Sequence, residues 1–366
     1  MKKKLKDICN GFTKNIAQKE LDELNGDYEI YGASGLIKKI DYYVSEVPYI
    51  GIVKDGSGVG RVSSYPAKSS LIGTMQYIVP NNDIDLQYLM YALRSMNLGN
   101  LFKGAAIPHI YFKEYKEFNV NVPSLPDQQK IATHLDSIQS AIDNKKQQLA
   151  QLDELVKSKF VEMFGENPVE SGKWKVETLG SKSELITKGA SPRWQGVEYQ
   201  SEGTLFVTSE NVREGYVDLT KSKYLPDEIN EILPRSILKK NDVLINIVGA
   251  SIGRAAIYEF EQKANINQAV ALVRLNSSDL DKTFLLIYLN SELAMKLYQS
   301  MIKGGARDNL SLKNISDLSI PVPPIELQTT FAEYVQKIDS AKSIIKTQLV
   351  DLQELLDSKI DEYFGE

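Results

Sequence analysis

The chain contains the same segment twice. Residues 151–166 read QLDELVKSKFVEMFGE, and residues 351–366 read DLQELLDSKIDEYFGE. A shift of 200 residues aligns 83–166 with 283–366 without a gap, and the match is strongest from Phe118 onward. A repeat this long is far beyond the period of a solenoid, so the sequence predicts two paralogous halves.

The duplicated end is predicted to be a long helix. Apolar residues recur at alternating steps of four and three, which indicates the seam of a coiled coil. The seam residues are Ile131, Leu135, Ile138, Ile142, Leu149, Leu152, Val156 and Met163 in the first copy, and Phe331, Val335, Ile338, Ile345, Leu349, Leu352 and Leu356 in the second. Lys145 and Lys342 each interrupt the seam, and polar seam residues fix register and choice of partner. Each helix follows a proline-rich stretch and ends at Gly165 or Gly365.

Two arrangements of these helices are open. A heptad seam most often joins two chains into a dimer. Because both copies lie in one chain, the helices can instead pair with each other in antiparallel fashion, with a globular domain at each end and pseudo-twofold symmetry. We predict this second arrangement, with globular domains over 1–125 and 167–325 and coiled-coil helices over 126–166 and 326–366.

The two globular regions are predicted to be mixed α+β domains. Runs rich in β-branched residues, such as GDYEIYGASGLIKKIDYYV and NDVLINIVGASIGRAAIYEF, are bounded by Gly, Asn and Asp. A helix follows in each region, LQYLMYALRSM in the first and KTFLLIYLNSELAMKLYQSM in the second. The pattern lacks the regular βαβ alternation of a parallel sheet.

The distribution of charge permits contact with DNA. The net charge of −5 and the pI near 5.4 argue at first against nucleic acid. However, 126–166 holds 5 lysines against 7 acidic residues, and 326–366 holds 4 against 9. The acidity therefore lies in the two helical segments, and the domains are neutral to slightly basic.

Other features of the sequence point to a cytoplasmic protein. Cys9 is the only cysteine, so no internal disulfide can form. The lysine-rich N-terminus lacks the apolar segment of a signal peptide, and no apolar run approaches the roughly 20 residues of a membrane span.

No motif indicates catalysis. DGSGVGR (55–61) and GASIGR (249–254) correspond at a shift of 193, but neither has the spacing of a nucleotide-binding loop, and the second is predicted to be a strand-to-strand turn. No cluster of His, Cys and Asp has metal-ligand spacing, and no nucleophile motif is present.

The loops instead carry Arg, Lys, Asn and aromatic residues, which can read bases and hold phosphates. Arg61 and Arg254 end the two glycine-rich turns and either face DNA or pair on the surface. His109 either contacts a groove or packs locally, whereas His134 is expected on a helix surface. Trp194 either stacks on a base or is a buried anchor.

Taken together, the sequence resembles the specificity subunit of type I restriction-modification systems. The first repeat is similar in GDYEIYGASG, GSGVGR and AAIPHI…FNVNVPSLPDQQKIA, and the second in ITKGASPRW, FVTSENVREGY, LKKNDVLINIVGASIGRAAI, NINQAVALVRL and LSIPVPPIELQ. Both helices close on the Phe-Gly end of the family, EMFGE and EYFGE. The similarity covers essentially the whole chain, and it departs where the second repeat has GGARDN in place of AAIPHI.

The resemblance implies a non-catalytic chain that recognises double-stranded DNA. Each domain would read half of an interrupted bipartite site, while the paired helices would set the unread spacer and dock two methyltransferase subunits. Restriction (motor-nuclease) subunits would join for cleavage. S-adenosylmethionine, ATP and Mg are expected on these partner subunits, and no cofactor or metal is expected on this chain.

The DNA contacts that follow from the resemblance lie in the loops of both domains. They are Lys38, Lys39, Arg61 and His109 in the first domain, and Arg193, Trp194, Arg213, Arg254 and Arg307 in the second. The main alternative is a coiled-coil assembly protein with no role on DNA. A methyltransferase with a degenerate motif is a third possibility, and it requires the isolated chain to bind S-adenosylmethionine.

Overall fold

The structure divides into two units. The computed structural model describes residues 1–101, 108–302 and 309–365. The first unit is Met1–Gln148 with Ile345–Glu366, and the second is Leu149–Ile344. Each unit therefore contains one globular domain and one half of each of two long helices.

The first domain is built from short strands and short helices. Its strands are β1 (Lys2–Lys4), β2 (Cys9–Phe12), β3 (Tyr28–Gly32), β4 (Gly35–Ile40), β5 (Tyr49–Val53), β6 (Val62–Tyr65), β7 (Ser70–Leu71), β8 (Met75–Pro80) and β9 (Asn119–Asn121). Its helices are α1 (Leu5–Ile8), α2 (Leu86–Ser95) and α3 (Phe112–Tyr115), and the long helix α4 (Leu125–Phe164) follows.

The second domain repeats this composition. Its strands are β10 (Lys175–Thr178), β11 (Ser183–Lys188), β12 (Thr204–Val207), β13 (Tyr224–Leu225), β14 (Val243–Asn246), β15 (Ala255–Ile257), β16 (Ala264–Ile266), β17 (Val270–Leu275) and β18 (Ser319–Val322). Its helices are α5 (Ile229–Ile232), α6 (Lys282–Leu289), α7 (Glu292–Met301) and α8 (Leu312–Ser316), and the chain closes with the long helix α9 (Ile325–Phe364).

The strand order is the same in both domains. The first has sheets β1-β9, β2-β8-β5-β6 and β4-β3-β7, and the second has β10-β18, β11-β17-β14-β15 and β13-β12-β16. In each three-stranded sheet one neighbouring pair is parallel, β3 with β7 and β12 with β16. The predictions of an α+β fold and of two paralogous halves are confirmed.

In the first unit, the start of α4 packs against the end of α9. His134 Nδ1 lies 2.9 Å from the Tyr363 hydroxyl, and the Phe364 ring lies 5.0 Å from the Tyr88 ring of α2. Leu135 on α4 and Leu356 on α9 belong to one buried core with the domain. His134 is exposed, as predicted, and it also bridges the two helices.

In the second unit, the end of α4 packs against the start of α9. The ring centroid of Phe164 lies 5.4 Å from that of Phe331 and 4.7 Å from that of Phe284 on α6. Asp153 of α4 forms an ion pair with Lys342 of α9 at 2.6 Å. Within each unit the two helices therefore run antiparallel, which confirms the predicted pairing inside one chain.

The predicted seam faces inward along both helices. Leu135, Ile138, Phe331 and Val335 are buried, and Ile131, Leu149, Leu152, Ile338, Leu349 and Leu352 are half-buried. Lys342 is the polar seam residue that finds a partner on the facing helix, as expected for a residue that fixes register. Each helix is 40 residues long, about 60 Å at ~1.5 Å per residue.

The prediction of a single helix over KTFLLIYLNSELAMKLYQSM is wrong. The structure breaks it into α6 and α7 at Asn290 and Ser291. The Asn290 side chain donates to Ala255 O at 3.0 Å and accepts from Ala255 N at 2.9 Å, so it bonds to a strand. The Ser291 hydroxyl accepts from Ala294 N at 3.3 Å and caps the new helix.

A buried carboxamide fixes the start of α4 to the first domain. Gln128 Nε2 donates to Asp83 O at 3.2 Å and to Pro123 O at 3.1 Å, and its Oε1 accepts from Asp85 N at 2.9 Å. Its side chain is 1 % exposed. The amide thus joins the connection between β8 and α2 to the first turn of the long helix.

Gln328 repeats these contacts in the second unit. It donates to Asp279 O at 2.9 Å and to Pro323 O at 2.7 Å, and it accepts from Asp281 N at 2.8 Å. Asp281 caps α6 as Asp85 caps α2, but these two residues lie 196 apart, whereas the glutamines lie 200 apart. The ungapped alignment is therefore wrong at its upstream end, where the second copy contains four additional residues.

We predict that Gln128→Leu destabilises the first unit by about 3 kcal/mol, because the Asp85 N–H and two carbonyls lose their partners in a buried site. Gln129→Leu is the matched control, since Gln129 is exposed on the same turn, and it should change stability by less than about 0.5 kcal/mol. Native-state hydrogen exchange is the measurement. Tryptophan fluorescence would not report on the first unit, because both tryptophans lie in the second. Equal exchange of the Asp85 amide in the two variants would contradict the prediction.

Candidate nucleic-acid interface

A hairpin loop of the first domain ends at Arg61. The loop joins β5 to β6, and its backbone closes with Gly60 N donating to Val53 O at 2.8 Å and Val53 N donating to Arg61 O at 3.0 Å. A second turn inside it has Val59 N donating to Gly56 O at 3.1 Å. These bonds hold Arg61 at the base of the loop, at the start of the returning strand.

The second domain contains the same loop between β14 and β15. Gly253 N donates to Asn246 O at 2.9 Å, Asn246 N donates to Arg254 O at 2.9 Å, and Ile252 N donates to Gly249 O at 3.1 Å. All three bonds match those of the first domain at a shift of 193 residues. Both loops connect antiparallel strands, so the predicted strand-to-strand turn is confirmed.

Two glycines at equivalent positions set this shape. Gly60 has φ +83° and Gly253 has φ +89°, a region that favours glycine. A Cβ on Gly60 would lie 2.1 Å from Gly99 N, and one on Gly253 would lie 2.6 Å from Met295 Sδ. Both the dihedral angle and the close neighbour therefore require glycine.

A second segment pairs with each loop at equivalent positions. His109 forms an antiparallel β-bridge with Asp55, and Asn309 forms one with Val248. The structure therefore places Asn309 where the first domain has His109, although the sequences AAIPHI and GGARDN differ. Arg307 lies outside the described residues.

Arg61 and His109 are partly engaged within the first domain. Arg61 is exposed, and its Nη1 donates to Ala33 O at 2.9 Å in the turn between β3 and β4. His109 is half-buried, with its ring centroid 5.6 Å from that of Tyr111. Arg61 belongs to the hairpin loop, and His109 lies on the segment that pairs with it.

Lys38 and Lys39 lie side by side on β4 and point to opposite faces of the sheet. Lys38 is half-buried, and its Nζ donates to Leu21 O at 2.7 Å. Lys39 is exposed. Of the two, Lys39 has the more accessible ammonium group.

Trp194 and Arg193 stand on an exposed turn of the second domain. The turn covers Pro192–Gln195 and closes at Gly196, whose φ is +71°. Trp194 is 81 % exposed, which rules out the buried-anchor interpretation. The structure presents a cation and an indole together on the surface.

Arg213 lies in a tight turn beside the strand that follows Arg254. Arg213 N donates to Tyr216 O at 3.0 Å, and Gly215 N donates to Ala255 O at 2.9 Å. The Arg213 guanidinium lies 3.5 Å from Asp218. Hydrogen bonds from Thr220 hold the pKa of the Asp218 carboxyl below its usual value, and the charge of Arg213 adds to this effect.

Arg254 is less engaged than Arg61, which donates to Ala33 O, and Arg213, which lies beside Asp218. Its side chain is exposed, and no hydrogen bond or ion pair joins its guanidinium to any part of the chain that the structure describes. Its backbone is fixed by the loop bonds. A fixed backbone with an open guanidinium suits a contact with a phosphate or a base edge.

Comparison with known proteins decides the class. The family model of the type I restriction modification DNA specificity domain matches residues 1–154 and 172–354. The chain belongs to this family. Its members are DNA-recognition subunits without catalytic activity, and the predicted resemblance is confirmed.

Individual specificity subunits are similar over most of the chain. The MjaVIII specificity subunit of Methanocaldococcus jannaschii is 24% identical over 302 residues, which cover 78% of this chain and 71% of that protein. The EcoBI specificity subunit of Escherichia coli is 26% identical over 266 residues, which cover 66% of this chain and 56% of that protein.

A solved structure shares the fold. The crystal structure of the S subunit of a type I restriction-modification system from M. genitalium superposes with a TM-score of 0.58 at 17% identity, covering 100% of this chain and 96% of that one. A chain from a structural study of complex assembly in a type I system superposes with a TM-score of 0.56 at 15% identity.

Two polar residues of this specificity subunit lie near the candidate interface but were not predicted from the sequence. Asn246 is buried at the end of β14 and contacts two loops, and its only signal was an asparagine after the apolar run VLI. Arg94 lines an open depression of about 550 Å³ with residues 57–63, which cover the hairpin loop and the start of β6, and its Nε donates to Val62 O at 3.2 Å. An arginine within a helical pattern gives no indication in the sequence that it lies beside a loop of another part of the domain.

Two classes of feature are absent from residues 1–101, 108–302 and 309–365. No group of three His, Cys, Asp or Glu side chains there could hold a metal ion. No helix in these ranges has both the length and the apolar character of a membrane span.

We predict that Gly60→Ala destabilises the first unit far more than Gly56→Ala. Both glycines have positive φ, which costs an alanine about 1–2 kcal/mol, but a Cβ on Gly56 meets no atom within 4 Å. The overlap with Gly99 should add about 2 kcal/mol for Gly60. Hydrogen exchange across β5 and β6 measures the difference, and equal protection in the two variants would refute the close-packing argument.

Proposed function

We propose that this chain directs methyltransferase and restriction subunits to an interrupted, two-part DNA site. Each domain, 1–125 and 167–325, reads one half of the site. One observation carries the proposal: both domains share the strand order and the hairpin-loop backbone, yet they present different side chains beside that loop. A shared scaffold with diverged contact residues is suited to reading two different half-sites.

The two long helices, 126–166 and 326–366, set the spacer between the half-sites and dock two methyltransferase subunits. The near-identical helix ends support two equivalent docking places for two copies of one partner. Leu155 and Leu355 are equivalent positions, and they are 47% and 44% exposed. Exposed leucines at matching places are suited to burial by such a partner.

The partners supply the chemistry in this proposal. Methyltransferase subunits bind S-adenosylmethionine, and restriction subunits bring ATP and Mg for cleavage of double-stranded DNA. The complex acts in the cytoplasm. The chain itself contributes DNA contacts from the loops, namely Lys38, Lys39, Arg61, His109, Arg193, Trp194, Arg213, Arg254 and Arg307.

Base-resolved methylation of genomic DNA, from cells with and without this gene, tests the proposal. We expect one interrupted motif to lose its methylation when the gene is deleted. A third strain carries seven additional residues after Gln148 and after Ile344, which preserves the heptad phase in both helices. About 10 Å of added helix corresponds to about 3 base pairs, so the same half-sites should appear with a longer spacer.

Four residues inserted at the same two places break the heptad phase and serve as the control, which should lose methylation. An unchanged spacing in the seven-residue strain would contradict the role of the helices as spacers. An unchanged methylation pattern after deletion of the gene would favour the coiled-coil scaffold without a DNA role.

We predict that Arg254→Ala weakens binding of the assembled complex to its site by about 1–3 kcal/mol, because an open guanidinium is lost from the interface. Arg235→Ala is the control, since Arg235 is also exposed in the second unit but lies outside the proposed contacts. Fluorescence anisotropy with labelled duplexes measures both affinities at one salt concentration. Equal affinities for the two variants would show that Arg254 does not contact the DNA.

A further inference from the structure

The buried side chain of Asn246 joins two loops of the second domain. Its Nδ2 lies 3.0 Å from Ser209 O, 3.3 Å from Val212 O and 3.1 Å from Ser251 Oγ. Ser209 and Val212 belong to the connection 208–223 between β12 and β13, whereas Ser251 belongs to the hairpin loop. One carboxamide therefore holds the connection against the loop that ends at Arg254.

The orientation of this carboxamide is fixed by its surroundings. Two of its three neighbours are backbone carbonyls, which only accept hydrogen bonds. Its Oδ1 is buried and has no partner among the residues described. Rotating the amide would place Oδ1 against the carbonyls of Ser209 and Val212 and lose both bonds, so the connection has one favoured position.

The connection 208–223 places Arg213, a candidate DNA contact, next to the hairpin loop. Val212 and Val217 form a β-bridge, and the turn between them contains Arg213. Gly215 N donates to Ala255 O at 2.9 Å, next to Arg254 in the chain. Asn246 thus fixes the base of a turn whose tip lies beside the other candidate arginine.

The first domain makes the equivalent link differently. Val53 stands at the position of Asn246, and only Ala33 and Ser34 lie between β3 and β4. The guanidinium of Arg61 holds this short turn by donating to Ala33 O at 2.9 Å. In the second domain Asn246 provides the link, and the guanidinium of Arg254 stays open.

We propose that Asn246 is a positioning residue for DNA recognition by the second domain. It holds the turn of Arg213 against the hairpin loop, so that Arg213 and Arg254 meet one half-site in a fixed arrangement. This inference rests on the proposed function. It assigns no DNA contact to Asn246 itself, whose side chain is buried.

Asn246→Val is the first test. Valine occupies the equivalent position 53 with the same backbone hydrogen bonds, so the loop can form around it. The complex reconstituted with its methyltransferase subunits is assayed on duplex libraries randomised in one half-site at a time. We expect base discrimination to fall about tenfold at one half-site and to stay within about twofold at the other.

Ile245→Val is the matched control. Ile245 is the preceding residue of β14, and its side chain lies on the opposite face of the sheet, in the core that includes Phe164 and Phe331 of the long helices. This variant should leave discrimination unchanged at both half-sites. Asn246→Asp is the second variant, because its carboxylate cannot donate to the two carbonyls, and it should affect the same half-site as Asn246→Val.

Hydrogen exchange of the full complex supplies a local measurement. The amides of 209–217 should exchange faster in Asn246→Val than in Ile245→Val, while those of β14 stay protected. This readout applies even if one variant binds DNA poorly.

Three outcomes overturn the inference: unchanged discrimination at both half-sites, an equal loss at both, or unchanged exchange over 209–217. A wild-type complex that discriminates at neither half-site would instead overturn the proposed function. The wild-type and variant measurements therefore separate the two failures.

Discussion

The structure depends on apolar contacts that each domain makes with halves of two helices at once. In the second unit, Phe164 of α4 packs on Phe284 of the domain and on Phe331 of α9, and all three belong to one buried core. In the first unit, Phe364, near the end of the chain, packs on Tyr88. The core of the first domain therefore forms completely only when residues of α9, far along the chain, pack against it. Such long-range contacts slow folding.

The buried glutamines fix the orientation of each long helix where it leaves its domain. Aromatic packing alone leaves a helix free to roll, whereas Gln128 and Gln328 each bond three backbone groups in a fixed geometry. Both occur in the first turn of a long helix, at the point where it leaves its domain. In each unit the direction of the helix is thus set by hydrogen bonds as well as by apolar surface.

Local patterns predicted the features that depend on neighbours in sequence. The step of four and three identified α4 and α9, and glycine spacing identified the hairpin at 249–254. Features that depend on distant partners were not predictable: Asn290 splits a helix because it bonds to Ala255, and Asn246 matters because of Ser209 and Val212. At the candidate interface, the sequence nominated Arg61 and Arg254 together, but only the structure shows that one guanidinium is bound and the other open.

The ion pair between Asp153 and Lys342 distinguishes the two copies from each other. The first copy has Ile142 at the position of Lys342, and the second has Gln353 at the position of Asp153. A chain made of two second halves would bring Lys342 opposite a neutral amide in a seam where its side chain is only 18% exposed. There Lys342 would keep only the ion pair at 3.6 Å with Asp339 of its own helix. The two halves are therefore complementary at this position of the seam, and a chain with two like halves would lack the ion pair between its helices.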